Sequence, residues 1–277
     1  MKKPYYNKNE FTLYHGDCNA IVPELKENVD MVFADPPYFL SNDGLTIQSG
    51  KVVSVNKGHW DKLSDETSHE FNHKWIKNVR EKMNKNATIW ISGTMHNIYS
   101  IYHVLLELDF KILNTIVWEK SNPPPNFTCR FFTHSTELII WARKSEKVPH
   151  YYDYPLMKKL NGSKQMKDVW KLPAIARWEK EFGKHPTQKP LSVLSRIVLA
   201  STKPGALILD PFSGSGTTGI AANLFNRRYI GIDSESAFLD VSKKRKADLQ
   251  RKSKEHFISK IYGINEFSSL LLPSMIK

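Results

Sequence analysis

Residues 206–219 read ALILDPFSGSGTTG. The first four, Ala206–Leu209, have the length and composition of a buried strand, and Thr217–Phe225 has the apolar spacing of a helix. Between them the glycines let the backbone turn sharply and approach a ligand without a Cβ in the way. The N-terminus of the following helix offers unpaired N–H groups on the same side. The span Gly214–Gly219 fits the G-x-G-x-x-G pattern, and Asp233 follows 19 residues after Gly214, at the end of the next strand-like run, Arg228–Ile232. A carboxylate so placed reaches ribose hydroxyls. Strand, glycine turn, helix and acid together predict a nucleotide-like ligand held by Asp210, Pro211, Phe212, Ser213, Gly214, Ser215, Gly216, Thr217, Thr218 and Asp233. Thr217-Thr218 stands where a phosphate loop of the Walker type needs Lys and Ser/Thr, which disfavours that alternative.

Working outward, β-rich runs alternate with helix-patterned ones. Phe11–His15, Asp30–Ala34, Ala87–Ser92, Lys111–Trp118 and Glu137–Ala142 read as strands, and Glu70–Met83 and Asn97–Leu108 as helices. This predicts an α/β fold with a mostly parallel sheet covered by helices on both faces. Asn42–Gly58 (NDGLTIQSGKVVSVNKG) reads as a long mobile loop. Ser236–Lys254 reads as one helix, its run of basic residues on a solvated face. The prolines of Asn122-Pro123-Pro124-Pro125-Asn126 read as a rigid connection.

The chain of 277 residues carries 40 Lys+Arg against 28 Asp+Glu, a net charge of +12. Hydrophobic residues at 40% support a full core and exclude global disorder. No apolar run reaches the ~18 residues of a spanning helix, and the start MKKPYYNKNE carries no apolar stretch, so a cytoplasmic location is expected. Cys18 and Cys129 lack metal-ligand spacing and the histidines are scattered, so no metal site is predicted. The charge points to a polyanionic partner. It concentrates in residues 143–189, with 12 Lys/Arg against 5 Asp/Glu. There Lys158, Lys159, Lys164, Lys167 and Arg177 are candidate nucleic-acid contacts, with Trp170 and Trp178 as interface aromatics.

A second motif, Asp35-Pro36-Pro37-Tyr38, follows the strand Asp30–Ala34, at the strand end where open α/β sheets bind ligands. Asp35 is an acceptor. The two prolines stiffen the turn and fix the direction of its carbonyls, and Tyr38 offers a stacking face. Together they suit a planar group bearing an NH₂, its two hydrogens directed to the Asp35 carboxylate and the Pro36 carbonyl.

With DPPY first, Phe212–Gly216 near the C-terminus, a basic stretch between them and then His185-Pro186-Thr187-Gln188-Lys189-Pro190, the chain resembles the permuted β group of DNA amino-methyltransferases over nearly its whole length. KPYYNK, FADPPYFLSN, WISGTMHNIYS, CRFFTHSTE and GKHPTQKP are similar to the second adenine methyltransferases of DpnII-type restriction systems. The resemblance implies a Rossmann-like methyltransferase fold, S-adenosylmethionine as cofactor and adenine N6 in GATC as target. It implies double-stranded DNA as partner with tolerance of single strands, a restriction endonuclease as functional companion, and dimers as a common state of the group. It places Asp17 near the cofactor's adenine, His185, Thr187 and Lys189 near its methionine end, Asp210 and Asp35 near its sulfonium, and Asp233 on its ribose. Tyr38 would stack on a flipped base, Trp60 would lie near the substrate cleft, and Asp35, Pro36, Pro37 and Tyr38 would be catalytic. By the same analogy residues 1–142 form the catalytic half, 143–184 a target-recognition insertion and 185–277 the cofactor half.

Cytosine-N4 methylation uses the same acceptor chemistry. Asp35 leans toward adenine, because the cytosine enzymes of the group often carry serine there. A nicotinamide-dependent oxidoreductase accounts for GSGTTG and Asp233 but leaves DPPY unexplained. A non-catalytic DNA-binding regulator lacks a helix-turn-helix or zinc-finger signature.

Overall fold

The computed structural model describes residues 2–38, 45–48, 51–54, 67–123, 125–126, 129–183 and 185–263. In chain order the elements are β1 (Tyr6–Lys8), β2 (Phe11–His15), α1 (Cys18–Ile21), β3 (Val29–Ala34), β4 (Leu45–Gln48), β5 (Lys51–Ser54), α2 (Ser68–Lys82), β6 (Met83–Gly93), α3 (Ile98–Glu107), β7 (Lys111–Lys120), β8 (Thr136–Arg143), α4 (Tyr154–Leu160), β9 (Val169–Leu172), α5 (Leu191–Ser201), β10 (Leu207–Asp210), α6 (Thr217–Leu224), β11 (Arg228–Asp233), α7 (Ser236–Arg251) and α8 (Lys254–Tyr262). Nine strands form one sheet in the order β1-β2-β11-β10-β3-β6-β8-β7-β9. β2, β11, β10, β3 and β6 run parallel, while β8 lies antiparallel between β6 and β7. The mainly parallel α/β sheet predicted from the alternation is therefore present.

The strands read as continuous apolar runs because both faces are covered. Met31, Phe33, Ile208 and Tyr229 enter the core layer beneath α5, α6 and α7. Their alternating neighbours Val32, Ala34, Leu209 and Ile230 enter the layer beneath α1, α2 and α3. α2 opens with a capping box between Thr67 and Glu70. From β3 the chain crosses through α2 to β6 on one side, and from β10 it crosses through α6 to β11 on the other. β3 and β10 are hydrogen-bonded neighbours. Their C-terminal ends thus flank the point where the sheet's winding reverses, the usual ligand crevice of such folds.

Four expectations are corrected. The stretch 42–58 contains, among its described residues, an antiparallel pair, β4 with β5, consistent with the strand preference of Thr46, Ile47, Val52 and Val53. The helix expected over Ser236–Lys254 ends at Arg251, and Ser253 caps a new one by accepting the His256 N–H. The basic run there is only partly solvated, since Arg245 and Lys246 are buried. Trp170, expected at an interface, is core: β9 pairs with β7 and turns the ring inward, where its Nε1 donates to the Lys167 carbonyl at 2.9 Å and the Arg196 guanidinium lies 5.0 Å from its centre. Trp178 packs edge-on to Phe257 beneath Lys260. No helix among the described residues is long and apolar enough to cross a membrane.

Candidate active site

A cleft of about 280 Å³ opens at the C-terminal ends of β2, β3, β10 and β11. Its lining brings together Asp17, Asp35, Pro36, Pro37, Tyr38, His185, Thr187, Lys189, Asp210–Ser215, Thr217, Thr218 and Asp233, residues up to 216 positions apart in the chain. Phe33, Phe71, Leu194, Phe212 and Phe238 supply apolar walls.

The glycine loop forms the floor. Gly214 has a φ of +50° and its N–H donates to Asp233 Oδ2 at 2.6 Å. Gly216, at φ +75°, does not line the cleft. A Cβ there would lie 2.0 Å from Ser242 Oγ, so its glycine is required by the close passage of α7 behind the loop. Arg245, also from α7, donates to the Ser215 carbonyl at 2.9 Å and to Thr217 Oγ1 at 2.8 Å. The sequence reading missed this brace. Its signal was the position of Arg245 three residues after the buried Ser242, on the same helix face.

Among the described residues, no lysine or arginine donates a hydrogen bond to Asp210 or Asp233. Asp210 Oδ2 accepts from Thr218 Oγ1 at 2.5 Å and Oδ1 from the Phe212 N–H at 3.0 Å. Burial, resisted by those two donors, pushes its carboxyl up to about 7. Asp233, which also accepts the Glu235 N–H at 2.9 Å, is pushed by burial to about 6. Asp17 caps α1 by accepting the Asn19 N–H at 2.9 Å. His185 packs edge-on against Phe238 with ring centres 4.2 Å apart, and its Nδ1 accepts the Thr187 N–H at 3.3 Å.

Asp35 follows Phe33 on the inner face of β3, one residue past the strand. Its Oδ1 accepts from Tyr38 Oη at 2.7 Å and its Oδ2 from Lys189 Nζ at 2.6 Å. Lys189, expected near the methionine end of a cofactor, thus reaches the DPPY carboxylate. It also donates to Tyr38 Oη at 3.1 Å and lies 3.4 Å from Glu137 Oε2. Lys120 pairs with Glu137 Oε1 at 2.6 Å. Burial disfavours the Lys189 ammonium, but Asp35 and Glu137 outweigh it and hold the amine well above its ordinary range. Burial also works against the Glu137 carboxylate, and Lys189 with Lys120 reverses this and holds it low. Glu137, Lys120 and Ser92, whose Oγ sits 3.3 Å from Tyr38 Oη, were absent from the sequence prediction. Glu137 alternates in phase with Ile139 and Trp141, and Lys120 with Ile116 and Trp118, all four apolar partners being core. A charged residue continuing an inward-facing apolar alternation was the available signal.

Lys158, Lys159, Lys164, Lys167 and Arg177 are exposed and outside the cleft. α4, which carries Lys158 and Lys159, starts where the Asp153 N–H meets the Ala200 carbonyl, at the end of α5 away from the cleft. Trp60 lies outside the described residues.

The cleft has the features a sulfonium nucleoside needs. It offers aromatic walls for a purine, a carboxylate at the ribose position of the fold, and a buried acid whose hydrogen bonds come from neutral donors and whose charge a cation would stabilise.

The chain matches the family model described as DNA methylase over residues 29–244. It is 57% identical over 263 residues to the type II methyltransferase M2.MboI of Moraxella bovis, covering 94% of this chain and 96% of that one. It is likewise 57% identical over 248 residues to M2.DpnII of Streptococcus pneumoniae, covering 88% and 92%. Among solved structures it superposes on the M1.HpyAVI–SAM complex with a TM-score of 0.65 at 28% identity, over 84% of this chain and 98% of that one. The cytosine-N4-specific PvuII methyltransferase shares the fold at a TM-score of 0.70 and 19% identity, over 94% of each chain. A permuted order of acceptor motif and glycine loop, folded into one cleft, joins these matches to the same conclusion: the chain belongs to the N6/N4 family of DNA methylases.

Proposed function

We propose that this enzyme transfers the methyl group of S-adenosylmethionine to the exocyclic N6 of adenine in double-stranded DNA, at GATC, as the modification arm of a restriction–modification system. The observation that carries the reading is the opening of the Asp35-Pro36 acceptor pair and the Gly214–Asp210–Asp233 floor onto one cleft. The GATC target is supported by the similarity to M2.DpnII-type enzymes, and the type II context by the relatives, which are themselves type II methyltransferases.

Asp233 would hold the cofactor's ribose hydroxyls, Asp210 would face its positive charge, and the aromatic walls would take its adenine. When bound, S-adenosylmethionine supplies an electrophilic methyl group. The chain's own part is positioning and electrostatics. The Asp35 carboxylate and the Pro36 carbonyl take the two hydrogens of the target amino group, which directs the nitrogen lone pair toward the cleft floor. Tyr38 supplies the ring against which the extruded base stacks, and Pro37 stiffens the turn that aims these groups. Residues 143–184 serve as the recognition insertion between the catalytic and cofactor parts, with the exposed Lys164, Lys167 and Arg177 meeting the DNA backbone. The enzyme works in the cytoplasm, beside a companion endonuclease, and as a homodimer.

The test is incubation with labelled S-adenosylmethionine and three DNAs: a duplex holding one GATC, the same duplex scrambled, and a single-stranded GATC oligonucleotide. The methylated base is then identified by mass spectrometry. The expected result is N6-methyladenine confined to GATC. N4-methylcytosine would move the reading to the cytosine branch of the family, and transfer to none of these nor to mixed genomic DNA would overturn it.

A further inference from the structure

Asp35 is the acceptor that an incoming amino group has to use, and each of its oxygens already accepts one hydrogen bond, from Tyr38 and from Lys189, the latter at 2.6 Å and so in direct competition with a new donor. The Lys189 side chain is 6% exposed, so water cannot readily replace Asp35 as its partner. A second carboxylate stands beside it. Glu137, with 14% side-chain exposure, is anchored through Oε1 to Lys120 at 2.6 Å. Its Oε2 is buried, lies 3.4 Å from the Lys189 ammonium and carries no hydrogen bond among the described residues. An acceptor already stripped of water and left unfilled next to a cation is costly to maintain unless it is filled at another stage.

We infer that Glu137 is a positioning residue that takes over the Lys189 ammonium when the target amino group occupies Asp35, so that Lys189 passes between two carboxylates of one buried cluster. This rests on the methyltransferase reading above. Closing 3.4 Å to a charge-assisted bond of about 2.8 Å is a sub-ångström movement. The cluster holds two carboxylates, Asp35 and Glu137, against two ammonium groups, Lys189 and Lys120, and it remains balanced through the exchange, because the entering amino group is neutral. Only hydrogen bonds are exchanged: no covalent bond is made or broken and no proton changes owner. The device also discriminates: a base presenting only a carbonyl to Asp35 gives that carboxylate nothing in place of the ammonium.

The test is single-turnover methylation of a GATC duplex by wild type, Glu137→Gln, Lys189→Met and the double variant, with cofactor and duplex affinities measured separately. Glu137→Gln is expected to lower the rate about tenfold or more, a barrier change of ~1.4 kcal/mol, with both affinities unchanged. Lys189→Met is expected to be slow as well, since Asp35 loses its partner. In that background Glu137→Gln should cause no further loss, because the residue through which it acts is gone. A wild-type rate for Glu137→Gln, or losses that simply multiply in the double variant, would overturn the inference. Should Glu137→Gln fail to fold, Glu137→Asp keeps the charge one methylene farther away and is expected to give an intermediate rate, a wild-type rate again overturning it. Absence of N6-methyladenine from the wild type itself would instead remove the reading on which the inference stands.

Discussion

Asp35 and Asp210 end neighbouring parallel strands, in phase with Phe33 and Ile208 on the same face of the sheet, yet the fold treats them in opposite ways. Asp35 has its counter-charge built in: Lys189 at 2.6 Å, with Glu137 and Lys120 behind it. Among the described residues Asp210 receives a hydroxyl and a backbone N–H and no cation, and burial pushes its carboxyl up to about 7. Burial raises the Asp35 carboxyl as well, but there Lys189 opposes it by charge and hydrogen bond, so the cation that supports an acceptor for a neutral amino group is part of the protein. A site for a positively charged sulfonium gains from an acid left short of positive charge, whose ionisation the ligand completes.

The largest expected effect comes from removing the member that is balanced internally. Asp35→Ala should lower single-turnover methyl transfer by about 10² to 10³-fold, the scale of losing one preorganised transition-state contact. Cofactor binding should change by less than about tenfold, or ~1.4 kcal/mol, since the glycine loop and Asp210 remain. A loss of cofactor affinity as large as the loss of rate would show that the two carboxylates are not specialised as described.

Asp210 gives the complementary result, read in pH. In the free protein the carboxyl is raised from its ordinary value of 3.8 to about 7, so the folded state holds a proton that the unfolded chain has released. Stability contributed through this group is therefore present at low pH and declines as pH rises from about 4 to 7, with Asp233, pushed to about 6, acting in the same direction. Binding of a cation favours the ionised form. Cofactor affinity should thus fall by up to about tenfold per unit as pH drops below 7, and level off above it. Titration calorimetry in buffers of different ionisation enthalpy should detect proton release near pH 7. Asp210→Asn should bind more weakly above pH 7, with most of this pH dependence gone.

The two carboxylates were not equally legible in the sequence. The surroundings of Asp210 follow from local pattern: a four-residue apolar run, a glycine turn and a helix lie within fourteen positions, and Asp233 comes at the end of the next strand. Tyr38 lies three positions from Asp35, but the charged cluster around it, Lys189 with Glu137 and Lys120 behind, comes from the segment before α5, β8 and β7, between 85 and 154 positions away. No local period connects them, and only the strand order β3-β6-β8-β7 brings their inner faces together. β9 was invisible for a related reason. Val169–Leu172 is too short to show alternation and is a strand because β7 offers a free edge. In Lys243–Lys254 residue type misled: a run of basic residues suggests a solvated face, whereas Arg245 and Lys246 find buried acceptors in Ser215, Thr217 and Asn223.

The smallest change sharpens the comparison at the neutral donor itself. Thr218 Oγ1 donates to Asp210 Oδ2 at 2.5 Å, and this hydrogen bond favours the carboxylate against burial. Thr218→Val keeps the shape of the side chain and removes the donor. The Asp210 carboxyl should then rise further, and the midpoint of the pH dependence of cofactor binding should move upward by about one unit, equivalent to ~1.4 kcal/mol. Thr218→Ser, which retains the hydroxyl, should leave it in place. Above the shifted midpoint the cofactor should bind Thr218→Val almost as well as wild type, because the sulfonium and not the threonine is then the principal support of the charge. A midpoint that stayed at pH 7 in Thr218→Val would mean that Asp210 is poised by burial alone, and that the hydroxyl on α6 serves only to pack the helix against β10.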